Sequence, residues 1–134
     1  MKQEVKTLIN YRLERAHEAL DEALILLERG HANTFINRLY YACFYAVSAL
    51  LLTKELSSSK HSGVRALFLQ NFVKSEVVDR KMGKLYDKLF DTRQKGDYAD
   101  LVRFNLDEVR PWLKDVENFV ESLERLIKKE ITTG

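Results

Sequence analysis

One proline and five glycines in 134 residues leave the chain almost without the residues that ordinarily punctuate secondary structure, which excludes a loop-rich or many-stranded fold and predicts long helices with short connections. A single cysteine, Cys43, excludes an internal disulfide and a cysteine metal cluster. It lies in an apolar run and reads as a small core residue. Neither sign of charge is in excess: Lys and Arg number 22 against 20 for Asp and Glu. The field of the whole molecule is therefore weak, and any nucleic-acid site has to be a local patch. The opening stretch MKQEVKTLINYRLER has no signal-peptide apolar core. The longest apolar run is broken by Ser48 and flanked by Arg38 and Lys54, so the expectation is a soluble, cytoplasmic protein with no membrane segment. With 46% hydrophobic and 31% charged residues, no repeats and no low-complexity tract, residues 1–134 read as one helical domain, long enough to bury roughly two thirds of its surface.

What is present is helical periodicity. Ile9, Leu13, Ala16, Leu20, Ala23 and Leu27 alternate at spacings of four and three and form one stripe. Gly30 stops that helix and Asn33 is the expected cap of the next, so the first two helices are antiparallel neighbours. Near the other end, Val109, Leu113, Val116, Val120, Leu123 and Ile127 form a row, with Trp112, Phe119 and Leu126 beside it. Asn105 and Glu108 fit a capping box, and Pro111 is expected to bend this helix near its start. Between them lie a short segment carrying Val64, Leu67, Phe68 and Phe72 and a longer one carrying Met82, Leu85, Tyr86, Leu89 and Phe90. Residues 57–63 are a polar loop, and 95–100 are expected to turn. The fold class that buries these faces is all-α: an up-and-down antiparallel bundle of about four long helices plus one short helix.

The stretch NRLYYACFYAVSALLL, residues 37–52, is apolar nearly all round. Ile36, Tyr40, Cys43, Val47 and Leu50 form one row, Leu39, Ala42, Ala46 and Ala49 another, and Phe44 with Leu51 a third, which predicts the central helix of the bundle. What a small bundle leaves uncovered on such a helix is expected at a homodimer interface. The remaining strip, Arg38, Tyr41, Tyr45 and Ser48, needs hydrogen-bond partners wherever it is buried, so it marks an interface rim or a site.

Chemistry-bearing residues are few. Di-iron bundles need two Glu-x-x-His pairs; Glu14 and His17 supply one, on a charged face, and read as solvated surface. No metal site, nucleophile elbow or phosphate-cradling glycine loop is present, and no cofactor is expected. His31 falls in a tight turn and is expected to be exposed. His61 opens the short helix, where backbone N–H groups favour an anion. In LYDKLFDTRQKGDYAD, Arg93 extends the row of Tyr86 and Phe90 by one turn, and Tyr98 follows across a Gly-Asp turn. A guanidinium fork suits a phosphate and a phenol ring suits a base; pairing of Arg93 with Asp97 or Asp100 is the structural alternative.

Taken in order, RLYYACFYAVSALLL, KHSGVRALFLQNFV, LYDKLFDTRQKGDYAD and the closing amphipathic helix resemble the prokaryotic HEPN domain family over nearly the whole chain. The resemblance implies an all-helical, usually dimeric domain often encoded beside a minimal nucleotidyltransferase, with which it forms a toxin–antitoxin or related pair. Many members are metal-independent ribonucleases carrying an Arg, a polar neighbour and a His within about two turns. Arg93 and Gln94 match the first two positions, but Tyr98 stands where the His is expected, and a phenol with a pKa near 10 is a poor base at neutral pH. The resulting expectation is a binding subunit that pairs with a nucleotidyltransferase and holds a nucleotide, RNA or other phosphate-bearing substrate through Arg38, Tyr41, Tyr45, His61, Arg93 and Tyr98. The alternatives are a metal-independent endoribonuclease using Arg93 with Tyr98 or His61, and a purely structural dimerisation module.

Overall fold

The computed structural model describes residues 1–97 and 103–133, the backbone alone for 95–97. Four long helices dominate: α1 (Gln3–Glu28), α2 (Ala32–Leu52), α4 (Arg80–Asp97) and α6 (Trp112–Thr133). Between α2 and α4 lies the short α3 (His61–Phe68), which runs on into a single π-helical turn, Leu69–Val73. A one-turn helix, α5 (Leu106–Val109), precedes α6. No strand occurs among the described residues.

The turn between α1 and α2 is as short as the glycine suggests. Gly30 takes φ +79°, the left-handed conformation that costs a residue without Cβ nothing. His31 N–H donates to Leu26 O (2.9 Å) and Gly30 N–H to Leu27 O (3.1 Å), a bond pair that satisfies the last carbonyls of α1. Asn33 does not cap α2, contrary to the expectation. His31 occupies the N-cap position without a side-chain bond, and Asn33 Oδ1 instead accepts from Phe104 N–H at 3.1 Å. Asn33 is already inside the first turn, where its side chain ties the segment before α5 to the start of α2.

The last apolar segment also differs from expectation. Arg110 and Pro111 form a turn, so α5 and α6 are two helices and not one bent helix. The proline lacks the N–H that would continue the ladder, and its ring crowds the carbonyl one turn back. Asn105 does cap α5, its Oδ1 accepting from Asp107 N–H at 2.9 Å and Glu108 N–H at 3.4 Å. At the end of α4 the helix continues through Asp97, so the turn expected from residue 95 does not begin there.

Helix α2 is the core element. It packs on α1 over the most extensive contact in the molecule and also on α6, α4 and α3. Twelve of its residues are buried, including Leu39, Tyr40, Cys43, Val47 and Leu50, all at 0% exposure. Buried alanines on both partners, Ala16, Ala19 and Ala23 on α1 with Ala42, Ala46 and Ala49 on α2, permit close helix approach. By length and composition Ala32–Leu52 suffices to cross a membrane, but most of it is buried inside the bundle. Burial pushes the Cys43 thiol well above its usual range, as fits an inert core thiol.

Candidate functional site

One flank of α2 is only partly covered by the described residues. Arg38, Tyr41, Phe44 and Tyr45 are all only half-buried. Phe44, placed in an apolar row by its spacing, borders solvent there. Ser48 at the same margin is buried.

Three other elements bring cations and an imidazole to this flank. From α4, the Arg93 guanidinium donates from Nη2 to Tyr41 Oη at 3.2 Å and lies 5.1 Å from the Tyr40 ring centroid and 5.3 Å from that of Tyr41. Arg38 of α2 itself stands over the same Tyr41 ring at 5.0 Å, held on its other side by Glu22 of α1 at 3.7 Å. From α1, Arg15 donates to Tyr45 Oη at 3.2 Å and also lies over that ring at 5.2 Å. Each guanidinium thus rests on the electron-rich face of a phenol, an attraction that strengthens where the cation is shielded from water.

His61, the first residue of α3, completes the cluster. Its ring stacks on Phe44 at 4.3 Å and 9° and meets Tyr41 edge-on at 5.8 Å. Its Nδ1 is 2.8 Å from Tyr40 Oη. Burial pushes the Tyr40 phenol up to about 12, despite the Tyr86 hydroxyl beside it and the nearby Arg93 charge, which both pull it down. Tyr40 therefore stays neutral across the physiological range and holds His61 as a hydroxyl, never as a phenolate. The short α3 sits where it does because Gly63 admits the preceding loop: a Cβ at this position would lie 2.1 Å from Ser58 Oγ.

Of the residues singled out in the sequence, Arg38, Tyr41, Tyr45, His61 and Arg93 meet on this one margin, with Tyr41 touching all four others. Tyr98 lies outside the described residues, as does Asp100, and Gln94 is exposed. Sequence reasoning missed Tyr40 and Arg15. Tyr40 was assigned to the core, where its ring indeed sits, but its hydroxyl is the group that orients His61. Arg15 shows no periodic signal; only its charge on a helix adjacent to α2 could have drawn notice. Arg38 Nε is buried without a hydrogen-bond partner among the described residues, an unsatisfied donor at the centre of the margin.

The other expectations resolve simply. His31 is exposed. His17 lies on the exposed surface, as expected, and there bonds through Nε2 to Glu124 Oε1 of α6 at 2.6 Å. Lys128 reaches the other oxygen of Glu124 at 3.2 Å. Partial burial raises the Glu124 carboxyl, but the His17 and Lys128 bonds outweigh it and hold the group below its usual range.

Comparison with known proteins gives a consistent result. Residues 9–126 match the family model described as HEPN domain. A UPF0332 protein of Thermotoga maritima is 46% identical over 125 residues, 93% of this chain and 95% of that protein. Two proteins of Methanocaldococcus jannaschii, each named as a candidate toxin, are similar as well. One is 31% identical over 99% of this chain and 88% of its own length, the other 30% identical over 96% of both.

Proposed function

The chain belongs to the HEPN domain family, and from that premise we propose that it is a toxin-like HEPN subunit: a cytoplasmic homodimer that pairs with a separately encoded minimal nucleotidyltransferase and binds a nucleotide, RNA or other phosphate-bearing substrate at the α2 margin. The toxin-like reading draws on the names of the two archaeal relatives. The observation that carries the binding reading is the convergence of Arg38, Arg93 and His61 on Tyr41 from three different elements. Convergence separates a site from scattered surface residues.

The arrangement supplies what a phosphate ester requires. Two planar guanidinium forks within reach of one phenol can grip adjacent oxygens of a phosphate. Half-buried Tyr41, Tyr45 and Phe44 present ring surface on which a base stacks, a contact worth roughly 1–3 kcal/mol per base. The same half-exposed aromatic flank suits a two-fold contact, in which a second copy lays its own α2 margin alongside and excludes water from the arginines.

A second reading, the metal-independent endoribonuclease, is favoured by one observation: His61 is held in a fixed pose by Phe44 and Tyr40. Because Tyr40 engages Nδ1, proton exchange with substrate goes through Nε2. In that reaction His61, in the tautomer whose Nδ1–H donates to Tyr40 Oη, accepts at Nε2 the proton of a ribose 2′-hydroxyl. That oxygen attacks phosphorus as the bond to the 5′-oxygen breaks, leaving a 2′,3′-cyclic phosphate. The departing 5′-oxygen takes its proton from water, and Arg93 balances the charge building on the phosphoryl oxygens.

Two measurements decide between these readings. Titration calorimetry with a nucleoside monophosphate and a short 5′-phosphorylated oligoribonucleotide is expected to show binding that Arg93→Ala and Arg38→Ala each weaken about tenfold or more, with the helical content unchanged. Affinity equal to the parent protein in both variants removes the site. Incubation of RNA with the protein in chelator reads the second function, which requires cleavage that is lost in His61→Ala and Arg93→Ala alike. For the dimer, light scattering of the parent and of Tyr45→Arg is expected to show twice the monomer mass and a shift toward one monomer, respectively.

A further inference from the structure

On the other side of α4 the molecule carries a groove that the margin site does not use. Lys84 and Arg93 are nine residues apart, about two and a half helical turns, and so project from opposite sides of the helix. The groove has a volume of about 690 Å3 and runs between α4 and α6. Its floor is apolar, made of Met82, Leu85 and Phe119. One wall is a lysine row, Lys81, Lys84 and Lys88, at helical spacings of three and four; the other is Asp115, Asn118 and Ser122 at the same spacings. A smaller depression of about 410 Å3 adjoins it through shared Asp79 and adds Lys74 and Arg80.

The lysines of this groove are distinguished by alignment: Lys81, Lys84 and Lys88 line one wall together. Like Lys60 and Lys114, and unlike the glutamate-bonded Lys54 and Lys128, they take part in no ion pair among the described residues. Asp79 caps α4, its Oδ1 accepting from Lys81 N–H at 2.8 Å, and with Asp115 it sets two carboxylates against the three lysines, so the lining keeps an excess of one positive charge. In a chain whose charges nearly cancel, an unpaired basic row beside an apolar floor is a local asymmetry.

We infer that the groove between α4 and α6 docks an acidic amphipathic helix of a partner protein, its acidic edge against Lys81, Lys84 and Lys88 and its apolar stripe on Met82, Leu85 and Phe119. Three lysines at these intervals span about 10 Å along the helix axis, and an opposing helix with acids at the same intervals matches them one for one. A nucleic-acid strand fits less well. The floor offers methylene and ring carbon in place of phosphate donors, and a phosphodiester backbone, charged along its whole length, cannot avoid Asp115 and the Glu76 of the adjoining depression, whereas a helix acidic on one edge only turns a neutral edge toward them.

Trp112 provides the readout. It is the sole tryptophan, and Lys88 Nζ lies 3.9 Å from its ring centroid, so an occupant that draws Lys88 away changes its emission. The probe is a synthetic helical peptide of about 15 residues with a glutamate row flanking a leucine stripe, compared with its lysine-row counterpart and with an oligouridylate. The glutamate peptide is expected to shift Trp112 emission saturably and to bind at least about tenfold more weakly to the triple variants Lys81→Gln/Lys84→Gln/Lys88→Gln and Lys81→Glu/Lys84→Glu/Lys88→Glu. Circular dichroism melts establish that these variants are folded; the glutamine variant carries the test where the glutamate variant is not. Equal binding of the lysine-row peptide, unchanged affinity in the folded triple variant, or saturable binding of the oligouridylate alone overturns the inference. Arg93→Ala leaves peptide binding unchanged, so failure here and failure of the margin site are read independently.

Discussion

Helix α2 has two long sides that use aromatic and aliphatic residues to different ends. On its inner side Leu39, Cys43, Val47 and Leu50 are fully enclosed by α1, α4 and α6, and the work of that side is burial. On its margin, Tyr41 and Tyr45 are half exposed and each is bonded to an arginine of another helix, so that side contributes polar contacts and a surface. The difference teaches that an all-round apolar sequence need not mean an all-round core: one side stabilises the fold, and the other presents a half-exposed polar and aromatic surface.

The comparison breaks first where the effect is largest. Leu50→Ala, at a site of 0% exposure, is expected to lower unfolding free energy by about 2–5 kcal/mol through lost burial and a residual cavity, while Tyr45→Phe, which removes only an Arg15 contact at the half-exposed edge, is expected to cost under about 1 kcal/mol. Chemical denaturation of both measures the gap, and equal losses would show that the margin is as load-sharing as the interior.

A finer test uses two buried tyrosines whose rings lie 6.0 Å apart. Tyr40 has its hydroxyl on His61, whereas Tyr86 Oη is buried and meets the Tyr40 hydroxyl in poor alignment. Tyr40→Phe is expected to destabilise by about 1–2 kcal/mol, since it leaves His61 Nδ1 without that bond. Tyr86→Phe is expected to be neutral or stabilising by up to about 1 kcal/mol, since it removes a buried hydroxyl whose contact with Tyr40 is poorly aligned. Thermal melts giving the two changes the same sign would contradict the contrast drawn between them.

The smallest expected effect concerns a polar contact away from the margin, on the opposite side of α1, where His17 meets Glu124. The Glu124 carboxyl is held below its usual range in the folded protein. Its contribution is therefore fully present above the unfolded carboxyl pKa and fades as pH falls through the folded value. Glu124→Gln is expected to flatten the acid side of the stability–pH curve by less than about 1 kcal/mol and to leave nucleotide binding untouched. Denaturation curves between neutral pH and mild acid read this directly.

Much of this architecture was legible because periodicity reports burial. The α1 stripe, the central position of α2 and the Gly30 stop all follow from spacing and residue type, as does the grouping of Arg38, Tyr41 and Tyr45 on one strip. What escaped were features decided between elements. Asn33 looks like a cap, but its partner is Phe104, seventy-one residues on. The end of α2 turns through Glu55 at φ +58°, a left-handed position that carries no glycine to announce it. The meeting of His61 with Arg93 at Tyr41 depends on how α3 and α4 are laid over α2, which no local pattern encodes. Pro111 gave the place of the break before α6 but not its extent, because tertiary packing chose a full turn over a bend.

The Gly30 turn has a consequence for how the chain reaches this state. Because the most extensive helix contact joins neighbours in sequence, residues 3–52 close on each other across a minimal loop, at small entropic cost and with low contact order. Such a hairpin is expected to assemble ahead of partners that arrive from residue 80 onward. A segment apolar enough to be mistaken for a membrane span is thus shielded along one side early in folding, which shortens the interval in which it can aggregate.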